Sequence, residues 1–279
     1  MSLDVSSIGY TTIPHVHVMN WQKAITYALG IGAKREELDY LYEARGPKVF
    51  PTYGVIPAFE PLVDVVKHVG GGFENLVHGG QSITVHRSLP PSGTWQTVGK
   101  LKALYDLKRM TQVVASTETH CEGELLFETE WMIILFDQGN FGGPRPAKVA
   151  KVEPPAGRAA DFEVRQQTSP EQALIYRLSG DYNPLHIDSE FAEKLGFKAG
   201  PILHGLCTFG HVARAVIQGA CAGDGNRLKA LSAQFKKPVW PGDELVTQGW
   251  VLDARKCALA VSVPGREDAI LGNAYAEII

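Results

Sequence analysis

Apolar residues along the chain follow two different periods, and the same succession of patterns occurs twice. Helical spacing over residues 20–29 and 58–69, and again over 169–178 and 203–218, predicts two helices in each half. Ser169-Pro170-Glu171-Gln172 reads as a helix start, with Pro at the first helical position and Gln172 three residues after the candidate cap. After each helical pair the pattern turns strand-like. Alternating or continuous apolar and β-branched residues fill 82–86, 94–104, 112–121 and 125–135, then 230–236, 244–254, 256–263 and 270–278. Turn signals punctuate them: Pro90-Pro91-Ser92-Gly93, Cys121-Glu122-Gly123, Pro241-Gly242-Asp243 and Pro264-Gly265. Helices followed by hairpin-connected strands predict an α+β fold with antiparallel sheets.

Residues 137–160 separate the two series. They are one third Gly plus Pro, twice the average of the chain, and neither residue continues a helix or central strand. The expected organisation is a first half over 1–136, a linker over 137–160 and a second half over 161–279. The halves read as distant copies of one unit. Tyr27-Ala28-Leu29-Gly30 aligns with Tyr176-Arg177-Leu178-Ser179, and the stretch from Gln81 to Pro91 aligns without gaps on that from Leu231 to Pro241.

Composition narrows the class. With 279 residues, 44% hydrophobic and 20% charged, the chain can bury two cores and is not disordered. A net charge of −3 disfavours a nucleic-acid or polybasic membrane surface. The longest apolar run, 131–136, is far short of the ~20 residues of a membrane span. Four cysteines without CxxC spacing point to a reducing compartment rather than a disulfide scaffold. The first residues carry no signal peptide and the last no peroxisomal tripeptide, so a cytoplasmic location is expected.

The densest polar cluster is Ser179-Gly180-Asp181-Tyr182-Asn183-Pro184-Leu185-His186-Ile187-Asp188. Pro184 ends the preceding helix and leaves a turn presenting Asp181, Asn183 and His186 together. A carboxylate, an amide and an imidazole in one place can hold a water and move its proton near neutral pH. The same residues also suit a capped helix end, in which Asp181 and Asn183 satisfy local amides. Downstream, Gly200-Pro201-Ile202-Leu203-His204-Gly205-Leu206 opens an apolar helix, whose first amides can serve an oxyanion.

The run YRLSGDYNPLHID (176–188), with GPILHGLCTFG (200–210) and AQFKKPVWPGDEL (233–245), closely resembles the MaoC-like (R)-specific enoyl-CoA hydratases, in particular their hydratase 2 branch. TYALGIGA (26–33), LYE (41–43), PTYGVI (51–56), VHGGQ (77–81) and GNFGG (139–143) extend the resemblance over the first half and the linker. The resemblance implies a double hot-dog fold: two long helices, each wrapped by antiparallel sheet, packed as an internal pseudo-dimer. It implies Asp181 and His186 as the catalytic pair, with Asn183 assisting and the Gly205 amide donating to the thioester carbonyl. Glu43 matches a glutamate important to the family, or else is a surface carboxylate. His78, Gly79 and Phe235 match acyl-CoA contacts, joined by Tyr182, Pro184 and Leu185 of the motif. Lys108 matches a CoA-contacting lysine only after a one-residue shift.

The expected reaction is hydration of trans-2-enoyl-CoA to (3R)-3-hydroxyacyl-CoA, with no metal or redox cofactor, an acyl-CoA substrate and a homodimeric assembly. Which of Asp181 and His186 is the base stays open. In the repeat register Asp181 faces Gly32, so the first half is expected to lack a catalytic site and to shape the acyl-tail space. Its Gly-rich stretch 67–76 reads as a cover over that space. Two rivals remain: a hot-dog thioesterase, and a non-catalytic acyl-binding protein. His204, Cys207 and His211 mimic a metal-binding helix face without a carboxylate, so packing is the better reading. His15-Val16-His17 alternates like a strand and is expected to be exposed. Gly30-Ile31-Gly32 and Gly70-Gly71-Gly72 complete no nucleotide-binding loop.

Overall fold

The Asn20 side chain accepts from the Lys23 amide at 2.9 Å and so starts α1 (Trp21–Gly30) one residue after the sequence pattern does. The computed structural model describes residues 3–71, 76–136 and 138–279. In the first half, β1 (His15–Met19), α1, α2 (Leu38–Leu41) and α3 (Val55–His68) precede β2 (Leu76–Val85), β3 (Gly93–Asp106), β4 (Met110–Cys121) and β5 (Glu124–Phe136). The second half repeats the order: β6 (Phe162–Gln167), α4 (Gln172–Tyr176), α5 (Ser189–Lys194) and α6 (Gly205–Ala220). Then follow β7 (Leu228–Phe235), β8 (Glu244–Val251), β9 (Lys256–Ser262) and β10 (Leu271–Ile278). Among the described residues no helix is long and apolar enough to cross a membrane.

All ten strands form one antiparallel sheet in the order β1-β3-β4-β5-β2-β7-β10-β9-β8-β6. Exchanging the strands of one half for their counterparts in the other reverses this order onto itself. The halves are therefore related by a two-fold axis at the β2–β7 seam. The register agrees: Gln81 pairs with Ala233, Ser82 with Ser232 and Ile83 with Leu231. An offset of 150 positions maps each of these pairs onto another, and the gapless sequence alignment has the same offset.

The two long helices lie on one face of the sheet. α3 rests on β3 and β4, and α6 on β6, β7 and β8. Every residue of α6 from Leu206 to Ile217 is buried, as expected of a helix that is apolar nearly all round and covered on all sides. The cores of the two halves merge into a single cluster, from Trp95, Trp131 and Tyr53 to Tyr176, Phe209 and Leu231.

Three expectations about elements need correction. Regular helix in the 169–178 stretch is confined to Gln172–Tyr176 and ends in a tighter turn, Arg177–Ser179. Ser169 still acts as a cap, since its Oγ accepts from the Glu171 amide at 3.0 Å. β2 begins six residues before the predicted start, because strand propensity misses Gly79-Gly80. Those glycines are there for closeness: a Cβ on Gly80 would lie 2.9 Å from Met132 Cε. Last, His15 and His17 are half-buried, whereas Val16 and Val18 are the exposed pair on edge strand β1. β6 was not predicted; Glu163 and Arg165 dilute its apolar alternation.

Residues 138–160 form no helix or strand and are held by scattered hydrogen bonds. The Gly142 amide donates to Asp106, and Trp250 Nε1 donates to the Arg158 carbonyl. Of the Gly-rich stretch 67–76, residues 72–75 lie outside the described residues.

Candidate active site

The turn after α4 is built almost entirely by its own side chains. Gly180, at φ +129°, ends the turn Arg177–Ser179 in a conformation that favours glycine. Asp181 Oδ1 accepts from the Asn183 amide at 3.2 Å, and Asn183 Oδ1 accepts from the Leu185 amide at 3.0 Å. Pro184 opens the short helical turn Pro184–His186, and Asp188 caps α5 through the Phe191 amide. The local-cap reading of Asn183 thus describes what its carbonyl oxygen does, and the residue itself is exposed.

His186 is turned inward by this chain of caps. Its Nδ1 donates to the Ile202 carbonyl at 2.8 Å, so Nε2 carries the lone pair. Burial lowers its pKa from the ordinary histidine value, partly opposed by the nearby Asp181 carboxylate and the Ile202 carbonyl. The result is a neutral imidazole beside a half-exposed carboxylate. His204 lies against it, ring centroids 3.7 Å apart and planes within 26°. His204 Nε2 donates to the Asp181 backbone carbonyl at 3.1 Å.

Asp181, His186 and His204 have one ligand-type atom each within 4.8 Å of the others. Both imidazole N–H groups donate to backbone carbonyls and the rings stack, which leaves His186 Nε2 and His204 Nδ1 as the free lone pairs. The predicted packing face of α6 is likewise occupied. Cys207 Sγ donates to the Gly30 carbonyl at 3.2 Å, and His211 Nδ1 to the Cys207 carbonyl at 3.0 Å.

Gly205 is the first residue of α6, directly after His204, and its amide is among those that a helix start leaves without an intrahelical partner. A Cβ there would meet the Phe235 ring at 3.3 Å. Phe235 meets His78 edge-on at 4.9 Å, and His78 stacks on Trp131 at 5.0 Å. His78 Nε2 donates to the Gly80 carbonyl, and burial pulls its pKa down to about 4. Gly205, Phe235 and His78 therefore form one wall across the β2–β7 seam, with Gly79 next to His78 in β2 facing Ile134 and Met132. Asp181 also lines a pocket of about 520 Å³ between the halves. Its lining includes His17, Tyr53 and Phe59 from the first half and Tyr176, Tyr182 and Leu206 from the second.

Glu43 is exposed in the turn Glu43–Arg45 and is not among the residues lining that pocket. Lys108 is exposed at the tip between β3 and β4. Tyr182 and Pro184 are exposed, the tyrosine ring lying 5.1 Å from the Arg177 guanidinium, and Leu185 is half-buried. Sequence reasoning missed His204 as a member of the site. Its position next to Gly205 was the available signal.

The first-half counterpart of the turn is filled. Gly32, which aligns with Asp181, has φ +76°, and a Cβ on it would sit 2.6 Å from His211 Nε2. Glu37 aligns with His186 and is bound instead by buried Arg214, which also donates to the Ile31 carbonyl at 3.0 Å.

A double hot-dog carrying Asp-x-Asn-Pro-x-His before its second long helix is the architecture of a MaoC-like dehydratase. Residues 151–270 match the MaoC-like domain, and residues 18–136 match the MFE-2 hydratase 2 N-terminal domain. The chain is 33% identical over 262 residues to a probable enoyl-CoA hydratase 2 of Dictyostelium discoideum, covering 91% of this chain and 89% of the relative. It is 34% identical to mouse peroxisomal multifunctional enzyme type 2, over 92% of this chain but only 36% of that longer protein. A crystal structure of a MaoC-like dehydratase from Phytophthora capsici superposes with TM-score 0.88 at 30% identity, covering 99% of this chain and 98% of that one. The chain belongs to the enoyl-CoA hydratase 2 family.

Proposed function

We propose that this protein is a hydro-lyase that adds water to trans-2-enoyl-CoA, giving (3R)-3-hydroxyacyl-CoA, and catalyses the reverse dehydration. The observation that carries the reading is the His186 tautomer. With Nδ1–H committed to Ile202, the Nε2 lone pair is free to take a proton from a water that Asp181 also holds. The Gly205 amide polarises the thioester carbonyl and makes C3 electrophilic. Water oxygen bonds to C3, the C2–C3 π electrons move into the thioester enolate, and the Asp181–His186 pair returns the proton to C2 from the same face. His78, Gly79 and Phe235 hold the thioester end across the seam, and Lys108 is assigned to the nucleotide portion by resemblance alone. The 520 Å³ pocket, lined by both halves, takes the acyl tail, so residues 1–136 help to shape the substrate space while 161–279 also supply the chemistry. The reaction needs no metal or redox cofactor, and the working unit is a homodimer.

The test is hydration of trans-2-decenoyl-CoA, followed by loss of enoyl thioester absorbance with chiral resolution of the product. The (3R) alcohol supports the reading. Release of free CoA instead favours the thioesterase, and binding without turnover favours the acyl-binding protein.

A further inference from the structure

His204 has no task in the steps above, yet it touches both members of the pair. It is 1% exposed, and three of its surroundings are defined. Nε2 donates to the Asp181 backbone carbonyl, one ring face covers His186, and the Tyr176 ring lies 4.9 Å away, tilted at 52°. Its Nδ1 is buried without a partner, so only the Nε2–H tautomer makes a hydrogen bond here. The charged and titratable groups facing it are Tyr176, Arg177, Asp181 and His186. Burial, His186 and Arg177 all disfavour a positive charge on it. A neutral ring is therefore stacked on the imidazole that must itself stay neutral.

We infer that His204 is a positioning residue: its Nε2–H fixes the backbone at Asp181 while its ring face holds His186 in place and out of water. The kinetic part of this inference rests on the proposed hydratase reaction, and the geometric part does not. Two substitutions separate the contacts. His204→Phe keeps a ring against His186 but has no donor, and His204→Gln places an amide donor near Nε2 but has no ring.

Kinetics and imidazole NMR of the full chain test the inference. The Phe variant is expected to lose at least about tenfold in kcat with KM within about threefold, and the Gln variant to recover part of that loss. The acid limb of kcat/KM is expected to rise by about one pH unit in the Gln variant only, because His186 there regains water. Unchanged kcat in the Phe variant together with an unmoved acid limb in the Gln variant overturns the inference. Should a variant fail to fold, 15N NMR of the unmodified protein still decides: an Nε2–H His204 supports it, and an Nδ1–H His204 overturns it. If no enoyl-CoA is hydrated, a higher His186 pKa in the Gln variant sustains the positioning geometry while the reaction reading falls.

Discussion

Ser82 on β2 faces Ser232 on β7, and their separation of 150 positions equals the offset that aligns Gln81–Pro91 with Leu231–Pro241. A residue paired with its own counterpart marks the two-fold axis, and only β1 and β6 are left as sheet edges. The strand order is thus symmetric while the side chains at the two counterpart turns are not. The asymmetry resides in a few side chains: Asp181 and His186 on one side, Gly32 and Glu37 on the other.

Asp181→Asn and His186→Gln are each expected to lower turnover by two or more orders of magnitude with unchanged circular dichroism. The Asn variant keeps an oxygen that can accept from the Asn183 amide, so the turn survives without its carboxylate. Turnover within tenfold of the unmodified protein would remove that residue from the chemistry.

Asn183→Ala removes a cap and is expected to destabilise the fold by about 1 kcal/mol in urea titrations, while Asn183→Ser restores most of it. If Asn183 acts only through the turn, the Ser variant also restores activity. A Ser variant that is stable but inactive would show direct participation of the amide group.

Gly205→Val brings branched carbons against the Phe235 ring, where even a single Cβ sits at 3.3 Å. A drop in kcat/KM of at least tenfold is expected, measured alongside the melting temperature. Unimpaired kcat/KM would exclude close approach of the thioester to this helix start.

Arg214 is almost fully buried and pairs with Glu37 across the halves. Glu37→Gln leaves the guanidinium without its charge partner and is expected to cost about 3 kcal/mol of stability in chemical denaturation. The loss should fall on stability, because this pair fills the non-catalytic counterpart of the site. A near-neutral effect would show that the guanidinium finds compensation from its carbonyl partner alone.

Burial lowers the pKa of His186, His204 and His211, the last to about 4. Below about pH 6.5 the unfolded chain binds protons that the folded chain refuses, so stability falls as pH falls. Melting temperature is expected to be flat from pH 8 to 7 and to decline steadily from pH 6.5 toward 4. The acid limb of kcat/KM should likewise lie below the ordinary histidine value. A melting temperature independent of pH down to 5 would contradict neutral buried imidazoles.

The sequence by itself determined the local structure and singled out the candidate catalytic turn. Period, caps and turn residues act within a few positions, so α1, α3, α6 and most strands are visible in it. So is the succession Gly180, Asp181, Asn183, Pro184, His186, because each member of that turn bonds to a near neighbour. Only the tertiary structure decided which distant groups meet. The β2–β7 seam joins His78 to Phe235 and Gly205, residues whose contact depends on strand register rather than on any local pattern. His204 looked like one third of a metal face because helical spacing says which residues share a side but not what that side meets. That Glu43 sits in an exposed turn is likewise a tertiary fact, since burial follows from packing and not from order along the chain.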